Sequence, residues 1–384
     1  MSAALPLSAY VHLPWCVRKC PYCDFNSHKA GPPAQRERYL EALFNDVRQD
    51  AGKVAGRSIE TVFLGGGTPS LFSPQQIGAI IARLGECLDL APDAEITMEA
   101  NPGTLEHGSL AGYREAGVNR LSLGAQSFDA ESLARLGRIH GPDEILAVFQ
   151  EARDAGFDNI NVDLMHALPG QTPAAALADL EAALALDPEH ISYYQLTLEP
   201  NTVFHARPPE DLPDEEQVFD IQDAGMERLG AAGFERYEIS AYAKAGRQCR
   251  HNLNYWRFGD YLGVGAGAHG KLTSSESGVR RSEKLANPQQ YTEHMESRSE
   301  AARWKAVPED ELPFEFMLNA LRLAEGFSMQ LYEAHTGLSE QSVRGTLDAL
   351  AERGLMSCDP DHIWRPTRQG YRFVNDLQGA FLPG

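Results

Sequence analysis

Three cysteines, Cys16, Cys20 and Cys23, fall within the stretch CVRKCPYCDF at residues 16–25. Each thiolate can hold one metal centre, so the C-x3-C-x2-C spacing asks what is held. A structural zinc ion usually takes four protein ligands, and the other cysteines, Cys87, Cys249 and Cys358, are scattered far along the chain. A redox pair needs only two thiols. A four-iron cluster normally takes four cysteines. With three, one iron keeps an open coordination site that can chelate a small molecule and pass it an electron.

Other residues suited to binding lie at the ends of short apolar runs. The run SIETVFLGGGTPS ends in glycines that let backbone approach a ligand and offer bare N–H groups, which marks Gly66, Gly67 and Thr68. Glu99 in TMEANPG, Gln126 in LGAQSFD and Asp163 in NVDLMHALPG are polar where a plain core would be apolar, and Arg138 follows in LGRIH. Carboxylates and amides suit ribose hydroxyls and an ammonium, and an arginine suits a carboxylate. Tyr10, in the first run, is placed either near the cysteines or in ordinary strand core. Each of these residues taken alone equally fits a helix cap or a loop.

The elements that must position them are legible as a rhythm. The β-rich runs SAYVHL, SIETVFLGGG, AEITMEANP, NRLSLGAQS, NINVDLMHALP and HISYYQLTLEP alternate with amphipathic stretches. Leu40, Leu43, Phe44 and Val47 repeat at one helical face. Ser73-Pro74 and Thr172-Pro173 read as helix starts. REAGVNRLSL, RDAGFDNINV and GAAGFERYEI share one plan, with a glycine to stop a helix before a strand. Alternating β and α elements predict parallel strands with right-handed crossovers, as an open doubly wound sheet or a complete or partial barrel. Either places function at the carboxyl ends of the strands.

Residues 1–272 are expected to form this α/β unit, residues 273–307 a polar, loop-like linker and residues 308–384 a second domain. There SEQSVRGTLDALAERGLM reads as a helix, SCDPDHIWRPTRQG as a hairpin and YRFVNDLQGAF as a final helix, a winged-helix-like α+β order. Residues 338–377 carry five Arg and no Lys against six Asp or Glu, a net of 5 − 6 = −1. DNA binding wants a basic face, so a packing role is expected instead. The formal charge of the chain is −20, which repels nucleic acid and anionic lipid. No run of about 18 apolar residues offers a membrane span, and the N-terminus lacks the form of a signal peptide. Six cysteines in 384 residues make no disulfide framework and suit a reducing cytoplasm.

The C-x3-C-x2-C motif, with the aromatic Tyr22 before its last cysteine, resembles the radical S-adenosylmethionine (SAM) signature. That superfamily places the motif after the first strand of a partial (β/α)6-type barrel, as SAYVHL followed by PWCVRKCPYCDF would do. The resemblance implies a 4Fe-4S cluster on Cys16, Cys20 and Cys23. It implies SAM bound by Tyr10, Tyr22, Gly66, Gly67, Thr68, Glu99, Gln126, Arg138 and Asp163.

Over nearly its full length the chain resembles the oxygen-independent coproporphyrinogen III oxidase family, through YVHLPWC, GGGTPS, LSLGAQSF, VDLMHALPGQT and the C-terminal segment. The oxidases carry a further cysteine two residues after the third; here that position is Phe25. Together with HNLNYW at 251–256, this resembles the haem-chaperone branch, the HemW proteins. That branch implies haem binding and transfer to membrane-bound respiratory proteins, peripheral membrane contact through them, and a dimer formed on haem binding. It implies no oxidative decarboxylation; the alternative is the oxidase itself. In this segment an exposed His251 is the expected haem ligand, with Cys249 and His269 as alternatives. Tyr255 and Trp256 offer flat faces, and Arg250 and Arg257 suit propionates. A lone histidine beside aromatics is otherwise ordinary packing.

Overall fold

The computed structural model describes residues 5–103, 109–297 and 302–383. All six β-rich runs form strands: β1 Leu7–Leu13, β2 Ser58–Gly66, β3 Asp89–Ala100, β4 Arg120–Gln126, β5 Ile160–His166 and β6 His190–Gln195. They pair in parallel, each with the next. The helix starts fall where expected. Ser73 caps the helix Pro74–Cys87 through Gln76 N–H, and Thr172 caps Pro173–Ala185 through Ala175 N–H. Gly117, Gly156 and Gly233 all take positive φ after their helices, the left-handed stop that only glycine adopts freely. After the third of these, however, the strand is only β7 Glu235–Arg236, an edge strand antiparallel to β8 Ala241–Ala243.

The period of two along the strands explains how the sheet curls. Arg120, Ser122, Gly124 and Gln126 of β4 face one cavity, as do Asn161, Asp163 and Met165 of β5 and His190, Ser192 and Tyr194 of β6. The residues between them, Leu121, Leu123, Val162, Leu164 and Ile191, are buried in the main apolar core. A sheet with one polar and one apolar face wraps the polar face around the cavity and covers the apolar face with helices. The result is the partial (β/α)6-type barrel of the radical SAM fold.

The segment 273–307 is not a loop-like linker. Strand β9 Asp260–Val264 joins β1 in parallel, and β10 His269–Ser274, β11 Gly278–Lys284 and β12 Ala302–Ala306 continue antiparallel, which completes a 12-stranded sheet among the described residues. Its polar residues are used internally. Lys284 is buried and meets both Asp46 and Asp50 of the helix Pro33–Ala51, the latter at 2.7 Å. Asp46 also accepts from Tyr291 O–H at 2.7 Å and Gly265 N–H at 3.0 Å. Removing one partner of a buried ion pair strands the other charge, so Lys284→Met is expected to cost about 3–5 kcal/mol, read by urea unfolding.

The C-terminal domain has the expected helix and hairpin order. Helix Gln341–Glu352 precedes the hairpin of β14 Met356–Cys358 and β15 Ile363–Pro366, and the earlier strand β13 Phe327–Ser328 joins them in a three-stranded sheet with β15 central. Its final helix is two short ones, Arg368–Arg372 and Val374–Gly379. Phe316, Tyr332, Leu347 and Trp364 form its core, and Phe258, from the turn before β9, and Val279 of β11 pack into the same cluster. Phe258 therefore ties the last domain to the edge of the barrel.

Candidate functional site

The cysteine loop is stitched to the glycine run. Gly67 N–H bonds Leu13 O at 2.9 Å, and Thr68 N–H bonds Trp15 O at 2.7 Å. A Cβ on Gly67 would lie 2.6 Å from Trp15 O and 2.8 Å from Leu13 O, so only glycine allows this approach. Each cysteine sulfur has a polar neighbour. Cys16 Sγ accepts from Thr68 Oγ1 at 3.5 Å, Cys20 Sγ accepts from Arg138 at 3.7 Å, and Cys23 Sγ lies 4.0 Å from Ser27 Oγ. Burial pushes the Cys16 and Cys23 thiols above their ordinary range.

All three cysteines border a cavity of about 560 Å³ at the carboxyl ends of the strands. Tyr22, Gly66, Gly67, Thr68, Glu99, Gln126, Arg138 and Asp163 line the same cavity. Arg138 bridges Gly124 O at 2.7 Å and Tyr22 Oη at 3.5 Å. Gln126 has a φ of 74° and accepts from Tyr194 O–H at 2.6 Å. Asp163 accepts from Asn161 at 2.7 Å and Ser122 at 3.2 Å. The sequence reading missed the inner residues of this wall, including Arg120, Ser122, Asn161, His190, Ser192 and Tyr194. Their signal was present as polar residues at most alternate positions of RLSLGAQ, INVDLMH and HISYYQ, broken by Gly124 and Met165.

Glu99 accepts from Gly66 N–H at 3.1 Å. Burial, then the charge of Asp163, raise its pKa from 4.5 to about 8, against the opposing pull of that N–H. A carboxyl raised in this way binds more protons folded than unfolded, so stability falls as pH rises from about 4.5 to about 8. Glu99→Gln keeps the neutral form and is expected to flatten that fall. Thermal melts of the ligand-free proteins at about pH 5 to 8.5 check it.

Tyr10 lies elsewhere. Its hydroxyl meets His12 Nδ1 at 3.0 Å, and it lines a second cavity of about 560 Å³ with Phe63, His251, Tyr255, Trp256, Phe258 and Tyr261. Phe25, Phe63, Gly66, Glu99 and Asn252 border both cavities, so the two share a wall. Phe25 is 56% exposed there.

The helix Arg250–Trp256 is set against this second cavity by Glu95 of β3. Its carboxylate accepts from the N–H groups of Arg250 and His251, both at 3.2 Å, which satisfies donors that a helix start leaves open.

Two family descriptions match the chain: "Radical SAM superfamily" over residues 10–183 and "HemN C-terminal domain" over residues 307–373. The chain is 46% identical to the heme chaperone HemW of Escherichia coli K12 over 379 residues, 98% of each chain. The chain belongs to the HemW family of haem chaperones, within the radical SAM superfamily. It is 35% identical to the HemW of Bacillus subtilis, covering 98% of this chain and 99% of that one. The structure of coproporphyrinogen III oxidase (HemN) from Escherichia coli is similar, with a TM-score of 0.82 and 25% identity over 98% of this chain and 90% of that one.

The HemW-like segment departs from its expected geometry in three respects. His251 is not exposed; it is 1% accessible, and burial and then Arg120 push its pKa down to about 3. Cys249 is buried too. Its thiol reaches toward Glu95 at 3.5 Å, and burial raises its pKa to about 12, the opposite of what a thiolate ligand needs. Arg250 and Arg257 are engaged by Asp93 and Glu325. His269 is exposed and lines the second cavity.

The bonds of His251 define its tautomer. Thr61 Oγ1 donates to Ser8 Oγ at 2.7 Å, so it accepts from His251 Nδ1 at 2.8 Å. The single proton of the neutral ring is then on Nδ1. Nε2 keeps its lone pair, which accepts from Tyr255 O–H at 2.9 Å.

Proposed function

We propose that this protein carries haem in the aromatic cavity beside the helix Arg250–Trp256 and hands it to membrane-bound respiratory proteins. In the adjoining cavity it holds a 4Fe-4S cluster and SAM. One observation carries the haem reading. On the wall of an aromatic cavity, a neutral histidine is oriented by a hydroxyl on Nδ1 and keeps a lone pair on Nε2. Metal-binding histidines are held in this way by a partner on the other nitrogen. Displacement of the Tyr255 side chain from Nε2 opens that lone pair to iron. Tyr10, Phe63, Tyr255 and Trp256 supply flat faces for the porphyrin.

For the cluster, the support is the donor set. Among the described residues, no three Cys, His, Asp or Glu side chains close on one metal-ion position. A tetrahedral zinc site needs such closure, whereas a four-iron cluster seats each thiolate on a different iron. Arg138 and Thr68 hydrogen-bond the sulfurs of Cys20 and Cys16. Glu99 and Asp163 suit the ammonium and ribose of SAM, and Gly66 and Gly67 allow close approach. Together the cluster and SAM supply one-electron chemistry.

Phe25, at the position where the oxidases carry a further cysteine, favours this reading over the oxidase. Anaerobically reconstituted protein given SAM and coproporphyrinogen III is expected to form no protoporphyrinogen IX. Turnover to that product would replace the carrier reading with the oxidase one. Haem titration of the same preparation is expected to give a saturable Soret band. Among the described residues no helix is long and apolar enough to cross a membrane, so delivery is assigned to protein contact, with a haem-dependent dimer as the carrying form.

A further inference from the structure

The arginines beside HNLNYW, Arg250 and Arg257, do not line the aromatic cavity, which leaves the carboxylates of a haem without an assigned partner. The aromatic cavity offers another pair. Lys271 of β10 and Arg281 of β11 are direct partners across the antiparallel ladder, and both line the cavity. Both lie over the ring of Phe258, at 4.3 and 5.8 Å from its centroid. Ring contacts lead to them from the histidine. His251 packs on Tyr255 at 4.7 Å, and Tyr255 on Tyr261 at 4.5 Å. Tyr261 Oη accepts from Arg281 at 2.6 Å.

The charge in this corner is under-compensated. Asp260 serves two cations, Lys271 at 2.9 Å and Arg57 at 2.8 Å. Glu315 serves Arg281. Three cations on two carboxylates leave 3 − 2 = +1 in a chain whose formal charge is −20. Burial, with Arg281 and Arg57, pulls the Lys271 pKa down to about 8 in spite of Asp260. Glu99 is the one carboxyl on the described lining, and with its pKa near 8 it is mostly protonated at neutral pH.

An aromatic slot bounded on one side by an under-compensated lysine–arginine pair suits a flat apolar ring system with carboxylates on one edge. The geometry points to Lys271 and Arg281 as the groups that meet the propionates of haem, so that it lies with its propionate edge toward β10 and β11 and its iron toward His251. This orientation rests on the haem-carrier reading above.

The test titrates the whole protein and its Arg281→Gln variant with haem and with haem dimethyl ester, in which both carboxylates are capped. Wild type is expected to prefer haem over the ester by about tenfold or more. Arg281→Gln should lose most of that preference while keeping its affinity for the ester, and Arg281→Lys should restore part of it. A fault in folding would weaken both ligands alike and leave their ratio unchanged. Lys271 is left in place, because its loss would take one of the two cations from the buried Asp260. Equal wild-type affinity for haem and ester overturns the propionate assignment and leaves the carrier reading standing. An undiminished preference in Arg281→Gln also overturns it. Saturable binding of neither ligand overturns the carrier reading itself.

Discussion

Replacing His251 with alanine is expected to weaken haem binding by about 10- to 100-fold, seen as a weaker Soret band at equal haem. The ring is buried against Phe63 at 5.2 Å and Tyr255 at 4.7 Å, so the substitution also opens a small cavity. A second variant separates ligation from packing. Thr61→Val removes the acceptor for the Nδ1 proton and keeps the side-chain volume. The proton then has reason to move to Nε2, where Tyr255 can accept it, and the lone pair facing the cavity is lost. Haem affinity is expected to fall about tenfold or more in Thr61→Val, with little change in the Phe63 and Tyr255 contacts. Tyr255→Phe acts in the opposite sense, because it removes the hydroxyl that occupies Nε2. Haem affinities that are the same in wild type, His251→Ala and Thr61→Val would take His251 out of the site.

Replacing Cys16, Cys20 and Cys23 together with alanine is expected to abolish iron–sulfur content. Wild type, reconstituted without oxygen, should hold about four irons and four acid-labile sulfides per chain, and the variant close to none. No other group of three metal-binding side chains among the described residues can replace the loop, and Cys249 is sealed behind Glu95. Haem binding should survive in the variant. Of these two cavities the cysteines border the first and not the second, while His251, Tyr255 and Tyr261 border the second and not the first. Iron and sulfide assays beside a haem titration check both halves. Tightly held zinc in place of iron and sulfide in wild type would refute the cluster.

The parts legible in the sequence were those with local causes. Ser73-Pro74 and Thr172-Pro173 carry their capping chemistry within four residues. Gly117 and Gly156 stop helices by their own backbone freedom. The cysteine spacing, the glycine run and the polar strand ends converge on one cavity because parallel strands present their carboxyl ends together.

The parts that were misread depend on partners distant in sequence. Lys284 reads as a surface residue in a polar stretch, and only Asp46 and Asp50, more than two hundred positions earlier, make it a core residue. His251 reads as exposed beside Arg250 and Asn252, but Glu95 and Thr61 draw its helix against the sheet. Tyr10 sits on the strand that leads into the cysteine loop, and its side chain turns to the second cavity with Phe63, at 6.2 Å. Lys271 and Arg281 carried no signal at all, since nothing local shows that a polar hairpin lines an aromatic slot.

The position of the iron in bound haem is the most direct test of His251 as its ligand. Crystals of the haem-loaded protein, measured at the iron absorption edge, would locate it by anomalous scattering. The expected map has one peak beside Nε2 of His251 in the aromatic cavity, apart from the signal at Cys16, Cys20 and Cys23. A haem iron peak away from that cavity, with His251 still bonded to Tyr255, would contradict it.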